Sequence, residues 1–138
     1  MDEINYPVTL GQVIFTRTFV ESIGAFEANS KPIIELKPTN SIVVEKDVER
    51  NLYVAIMDCV LNEERSNKSP YYIDVQCIGT FLVNEELSNN DDEAKKAVTI
   101  ISHSVLYGAI RETISYITSR QPFGTFTLGL SVLTPHKS

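Results

Sequence analysis

The stretch YYIDVQCIGTF, Tyr71 to Phe81, alternates its side chains in the way that a β-strand with one buried face does. The odd-numbered positions are apolar apart from Gly79 and predict a core face: Tyr71, Ile73, Val75, Cys77 and Phe81. The even-numbered positions include Asp74 and Gln76 and predict a face that is solvated or adapts to a partner. The stretch therefore predicts a strand and raises the question of what its polar face contacts.

Three other segments have the composition of strands. Val8 to Ile23 carries phenylalanines and threonines on opposite parities, and Ile33 to Glu45 is weakened at Pro38, which cannot donate to a ladder. NLYVAIMDCVL (51–61) is apolar on both parities, which predicts that both of its faces are buried. The polar segment NEERSNKSP then turns the chain into the opening stretch as a hairpin, which gives four antiparallel strands.

A long helix is predicted after the strands. Residues 88–90 offer Ser and Asn caps, the acidic run 91–93 suits the positive end of a helix, and Arg120 stands where the helix would end. Apolar residues recur between them at steps of three and four, with a sideways shift near Gly108 that predicts a kink. The predicted fold class is α+β: a four-stranded antiparallel sheet followed by one long helix, in a single domain over residues 1–138.

Composition limits the class of partner. A formal net charge of -6 is wrong for a protein that binds the nucleic-acid backbone. The N-terminal sequence MDEINYPVTL is acidic and has no apolar run of signal-peptide length, and no stretch approaches the roughly 20 apolar residues that span a membrane. We therefore expect a cytoplasmic protein without membrane insertion. Cys59 and Cys77 are expected to be reduced core thiols.

Residues that could support catalysis are few. His103 and His136 have no cysteine or carboxylate at a recognised ligand spacing, and His103 is expected to be a partly exposed helix residue. The acidic run 91–93 has the helix-dipole explanation, which we favour over a metal site. The sequence has no phosphate-binding glycine loop, nucleophile elbow or paired CxxC motif. We expect a binding protein that is not an enzyme and uses no metal or cofactor.

The predicted elements leave apolar surface uncovered. A helix about 45 Å long and about 10 Å wide covers about half of one face of four strands spaced at about 4.8 Å. A symmetric copy of the chain or a partner polypeptide is expected to cover the rest. The residues that we predict for an apolar groove are aromatic, with core packing as the alternative for each: Phe15, Phe19, Tyr53 and Tyr72.

The order of four strands and one helix, together with three sequence segments, resembles the SecB family of protein-export chaperones. The segments are FEANSKP (26–32), DVQCIGTF (74–81) and YGAIRETISYITSRQPFGTFTLGL (107–130). The similarity spans roughly Gln12 to Val132. It implies a dimer of dimers with helices between two large sheets, and a holdase whose apolar grooves keep non-native polypeptides competent for export by the motor SecA. The absence of a nucleotide-binding loop predicts that this holdase works without ATP.

The resemblance also implies an acidic surface that docks SecA, and the matching positions are Glu27 and Asp74, with solvated carboxylates as the alternative. Only Thr134 to Ser138 follow Leu133, so we do not expect the tail through which the family grips the motor. This departure gives weight to a SecB-like chaperone dedicated to the antitoxin of a toxin–antitoxin system. A structural oligomer of the same fold that binds no unfolded chains is the third hypothesis. The expected partners are thus unfolded polypeptides, SecA or an antitoxin, and copies of the chain itself in a tetramer.

Overall fold

The computed structural model describes residues 7–26 and 37–129. Its strands are β1 (Val8–Ser22), β2 (Thr39–Asp47), β3 (Leu52–Leu61) and β4 (Tyr71–Val83), and its helices are α1 (Glu85–Ser88) and α2 (Asp91–Thr118). The strands form one antiparallel sheet in the order β1-β4-β3-β2. The predicted α+β class, with four antiparallel strands before one long helix, is confirmed. The predicted start of the second strand, Ile33 to Leu36, lies outside the described residues.

The central hairpin of β3 and β4 supplies most of the core. Cys59 pairs with Val75 and Met57 with Cys77, so odd-numbered side chains of both strands point to the same side. That side is fully buried, while the even-numbered side is partly exposed. The alternation predicted for β4 is confirmed. The prediction of two buried faces for β3 holds for one face only, because no helix in the described part of the chain packs on the other.

Strand β1 lies at the edge of the sheet beside β4 and contains a bulge that sequence parity does not reveal. The register between the two strands shifts between Phe15 and Arg17. Phe15 consequently pairs with Cys77 on the helix side, whereas Phe19 pairs with Asp74 on the opposite side. Two phenylalanines of equal parity therefore point to opposite faces of the sheet.

Helix α2 lies across all four strands and closes the core. Its cap is Asn90, whose side chain accepts a hydrogen bond from the backbone N–H of Glu93 at 3.2 Å. The helix runs without interruption through Gly108, so the shift in the apolar pattern does not break it. His103 is buried and stacks on Tyr107 with ring centroids 6.0 Å apart, which corrects the expectation that it is partly exposed.

The segment after α2 folds back along the helix as an extended chain. The hydroxyl of Tyr107 donates to the carbonyl of Gly129 at 2.7 Å, and Arg111 Nε donates to the carbonyl of Leu128 at 2.8 Å. At the other end the N–H of Phe126 donates to Thr118 Oγ1 at 2.8 Å. These bonds hold Leu128 in the core, as the predicted extended apolar segment requires.

Cys59 and Cys77 are buried and unbridged, in agreement with the sequence-based expectation. Burial, followed by the negative charge of Asp74, raises the pKa of Cys59 to about 12. Burial raises the pKa of Cys77 to about 11. Neither helix of the described chain combines the length and the apolarity that a membrane span needs.

Candidate functional site: the open face of the sheet

The side of the sheet turned away from α2, which we call the open face, carries a continuous line of branched apolar side chains. Ile14 pairs with Ile78, Ile78 with Ile56, and Ile56 with Val43, so the line crosses all four strands. Its two ends are exposed and its two central members are partly exposed. We call these four residues the apolar row. Uncovered apolar surface of this kind is typical of an interaction site.

A polar cluster lies on the open face beside the apolar row. Arg17 Nη2 lies 2.8 Å from Asp58 Oδ1 and 2.9 Å from Asp74 Oδ1, so one guanidinium bridges β1, β4 and β3. Gln76 Nε2 donates to Asp58 at 3.1 Å, and Thr16 Oγ1 donates to Gln76 Oε1 at 2.6 Å. The hydrogen bond to Asp74, and to a smaller extent the hydrogen bond to Asp58, raises the pKa of Arg17. One guanidinium between two carboxylates leaves a single net negative charge.

An aromatic pair lies on the same face towards the hairpin that connects β3 and β4. The rings of Phe19 and Tyr72 meet edge to face with centroids 5.6 Å apart. The guanidinium carbon of Arg65 lies 4.3 Å from the centroid of Tyr72, and Arg65 Nε lies 2.9 Å from Glu21 Oε1. We call Phe19 and Tyr72 the aromatic pair. Together with Arg65 and Glu21 they form the capped aromatic pair.

The structure brings together two of the four predicted groove residues. Phe19 and Tyr72 share the open face, whereas Phe15 packs against the core on the helix side. Tyr53 is 2% exposed, and its hydroxyl donates to Asp91 Oδ1 at 2.5 Å. Burial, and to a smaller extent this hydrogen bond, raises the pKa of Tyr53 to about 12. The core-packing alternative therefore fits Phe15 and Tyr53, and a groove role in the folded chain fits Phe19 and Tyr72.

The two predicted docking acids have different outcomes. Asp74 lies on the open face, opposite Val75 and Cys77 and away from α2, as the alternation of β4 predicted. Its carboxylate is nevertheless already paired with Arg17. Glu27 lies outside the described residues. A docking role for these acids stays a prediction.

Sequence reasoning missed Arg17, Asp58 and Arg65. The sequence did contain a signal for Arg17 and Asp58. Each is a charged residue in the middle of a strand, where a charge without a partner is costly, and the two charges have opposite signs. Arg65 carried no such signal, since it lies in a polar loop whose conformation the sequence pattern does not define.

Helix α2 also exposes apolar side chains, separated along the helix by the exposed Ser104, Gly108 and Glu112: Ile100, Ile101 and Tyr116. We call the side of the helix that carries them the outer face of α2. Among residues 7–26 and 37–129, no group of three or more His, Cys, Asp or Glu side chains is placed to hold a metal ion.

No protein-family model matches the chain, and no curated protein matches its sequence. Among solved structures, the Mycobacterium tuberculosis Rv1957 SecB-like chaperone, in complex with a ChAD peptide from the Rv1956 HigA1 antitoxin, aligns with 95% of this chain and 94% of its own at a TM-score of 0.62. The fold is SecB-like. The two sequences are 18% identical, so the likeness concerns the SecB-like fold.

A protein of unknown function from Streptococcus agalactiae also resembles this SecB-like chain. The alignment covers 89% of this chain and 97% of that one, with a TM-score of 0.50 and 12% sequence identity. The resemblance drawn from the order of the elements and three short segments is thus supported by whole-chain geometry.

Proposed function

We propose that the protein is an ATP-independent holdase chaperone that acts in the cytoplasm and binds non-native polypeptide segments on the open face of its sheet. The observation that carries the proposal is a sheet face that no described helix covers and that presents the apolar row on one side of the polar cluster and the capped aromatic pair on the other. The SecB-like fold supports it, because the structural neighbour Rv1957 is a chaperone that holds a peptide.

The chemistry of the open face suits clients of varied sequence. Branched aliphatic and aromatic side chains provide apolar area without demanding a fixed hydrogen-bonding register. The polar cluster next to them keeps the face hydrated and leaves one net negative charge between Asp58 and Asp74. A chaperone needs contacts that are numerous and individually weak, because it must release what it binds.

The proposal includes assembly into a homotetramer as a dimer of dimers. The candidates for the contact between copies are the most exposed apolar side chains of α2, Ile100 at 61% and Tyr116 at 70%. A second copy of the chain presents the same surface and can bury both at once.

One client class has specific support. The peptide held by Rv1957 comes from an antitoxin, so we place an antitoxin segment first among the candidate clients of this protein. Handover of precursors to SecA is a separate candidate. A structural oligomer that binds no unfolded chains is the remaining alternative.

Suppression of aggregation tests the proposed function. Purified protein without nucleotide is added to heat-unfolding citrate synthase, and light scattering is followed for the wild type and for Phe19→Ala/Tyr72→Ala. We expect the wild type to suppress scattering and the double variant to lose most of that activity. Leu10→Ala is the matched control, because Leu10 is 47% exposed against 44% for Phe19 on the same strand but pairs with Phe81 on the helix side. If the wild type does not suppress scattering, the holdase proposal fails.

A further inference from the structure

One member of the aromatic pair on the open face, Tyr72, is covered by a side chain of the same molecule. We propose that Arg65 is a displaceable cap on Tyr72, so that a client side chain packs on this face of the Tyr72 ring only by competing with the Arg65 guanidinium. The inference deepens the proposed function and rests on it. It assigns to this chain a built-in competitor that sets how tightly clients bind.

The backbone of the hairpin loop places Arg65 over the ring. Asn62 Oδ1 accepts from the N–H of Ser66 at 2.8 Å, and Asn62 Nδ2 donates to the carbonyls of Ser66 at 3.0 Å and Tyr71 at 3.3 Å. The N–H of Arg65 donates to the carbonyl of Asn62 at 2.9 Å. These bonds hold Arg65 at φ 53°, in the left-handed region that residues other than glycine rarely occupy. Such a conformation persists only where the surrounding contacts maintain it.

The cap occupies the surface that a client would need. The guanidinium lies 4.3 Å above the centre of the Tyr72 ring, and Phe19 meets that ring edge to face. An aromatic or aliphatic client side chain that packs on the same ring face must therefore take the place of the guanidinium. The ion pair with Glu21 holds Arg65 in position from β1.

The contacts of the cap are weak enough to be exchanged. About half of each side chain in the Arg65–Glu21 pair is exposed, so water and salt screen the interaction. A cation over an exposed aromatic ring changes an equilibrium by about two- to fivefold. Salt should loosen the cap, and the affinity of the wild type for an uncharged apolar segment should consequently rise with salt. Binding driven by charge would change in the opposite direction.

Two substitutions with opposite effects on net charge test the cap. Arg65→Ala changes the formal net charge from -6 to -7, and Glu21→Gln changes it from -6 to -5. Both remove part of the cap, so both should tighten binding of reduced, carbamidomethylated α-lactalbumin: Arg65→Ala by about two- to fivefold and Glu21→Gln by about twofold. A general effect of charge would move the two affinities in opposite directions.

Arg50→Ala is the control. It makes the same charge change as Arg65→Ala, and Arg50 lies in the turn between β2 and β3, where its nearest carboxylate is that of Asp47 at 3.8 Å. Its affinity should match that of the wild type within error. Unchanged or weaker binding by Arg65→Ala, in a protein with wild-type melting temperature and mass, overturns the cap.

A second measurement needs no client. Hydroxyl-radical footprinting, read by mass spectrometry, should show faster modification of Tyr72 in Arg65→Ala and Glu21→Gln than in the wild type and Arg50→Ala. Equal rates in all four proteins would mean that Arg65 does not cover Tyr72 in solution, and the inference is then wrong. If the wild type binds no unfolded polypeptide but the footprint changes as expected, the proposed function fails while the cap stands.

Discussion

Arg17 and Asp74 face each other across the pair of strands β1 and β4, with Arg17 Nη2 at 2.9 Å and Nε at 3.0 Å from the same carboxylate oxygen. The guanidinium also reaches Asp58 on β3 at 2.8 Å. Asp74 is therefore not a free acid that waits for a partner. A basic partner that approaches the open face competes with Arg17, and the single unbalanced charge of the cluster is what remains to attract it.

The first prediction concerns the stability that this cluster provides. Asp74→Asn should lower the free energy of unfolding by no more than about 1 kcal/mol, because the pair is partly exposed and screened. Arg17→Met should cost more than Asp74→Asn, since it leaves Asp58 and Asp74 without a counter-ion. Urea denaturation of both variants, with Arg50→Met as the exposed control, measures the difference. Equal stability of Arg17→Met and the wild type would show that the cluster contributes nothing to the stability of the fold.

The second prediction concerns SecA. If export is the function, SecA should bind the wild type at low salt through the charge left on the open face, and Asp74→Asn should weaken that binding. Arg17→Met should strengthen it, because both carboxylates then become available. Both changes should appear mainly in the association rate, and salt should reduce them. A titration that detects no SecA binding to the wild type removes the export hypothesis and leaves the antitoxin alternative in place.

The third prediction compares two glycines. A Cβ at Gly79 would lie 2.9 Å from Phe81 Cε2 and 3.0 Å from Leu106 Cδ2, whereas a Cβ at Gly108 has nothing within 4 Å. Gly79→Ala should therefore destabilise the fold by about 1–3 kcal/mol through overpacking between α2 and the sheet. Gly108→Ala should stabilise it by about 0.5–1 kcal/mol, because alanine is the better helix former. Urea denaturation measures both; a Gly79→Ala protein as stable as the wild type would contradict the close approach of helix and sheet.

The sequence predicted those parts of the fold that depend on periodicity. The alternation from Tyr71 to Phe81 and the capped helix from Asp91 are both present, because burial of one face imposes a period of two on a strand and of about 3.6 on a helix. The candidate site depends on features that leave no periodic pattern in the sequence. The bulge at Thr16 turned Phe15 and Phe19 to opposite faces, and a one-residue shift of this kind leaves no mark on composition.

Loop geometry was the second feature that the sequence did not reveal. Arg65 reaches Tyr72 because Asn62 organises the hairpin loop and its amide also donates to the carbonyl of Tyr71 at the start of β4. The apolar row likewise depends on the register of strand pairing. It joins Ile14 on β1 to Val43 on β2, the two edge strands of the sheet, through β4 and β3. Pairwise contacts between distant segments set the candidate site, and a single sequence specifies them only indirectly.

The fourth prediction is a loss of stability at alkaline pH. Burial raises the pKa of Cys59 to about 12 and that of Cys77 to about 11, both from an ordinary value of 9.0. As the pH approaches and passes 9.0 the unfolded chain loses these protons before the folded chain does, so stability falls as pH rises. Each thiol contributes at most about 1.4 kcal/mol per pH unit.

The range between about pH 8 and 9 separates the thiols best, because tyrosines of the unfolded chain, with an ordinary pKa of 10.0, are still almost fully protonated there. Urea denaturation under reducing conditions should give a smaller pH slope for Cys59→Ala than for the wild type, whatever the cost of the substitution itself. Tyr53→Phe should leave the slope in this range almost unchanged, since the raised pKa of Tyr53, about 12, affects stability only as the pH approaches and passes the ordinary tyrosine value of 10.0. An identical slope for Cys59→Ala and the wild type would mean that the thiol is not buried in solution.

The fifth prediction assigns the interface between copies of the chain to the outer face of α2. Ile100 is 61% exposed there, and a charged side chain at the centre of an apolar interface cannot be desolvated without a partner. We expect light scattering to give a tetramer for the wild type and a smaller species for Ile100→Lys. Val43→Lys is the matched control, because Val43 is 53% exposed but lies in the apolar row on the open face. If copies associate through α2, Val43→Lys keeps the wild-type mass and loses holdase activity, while Ile100→Lys changes the mass. The reverse pattern would exchange the roles of the two surfaces, and a monomeric wild type at micromolar concentration would remove the tetramer altogether.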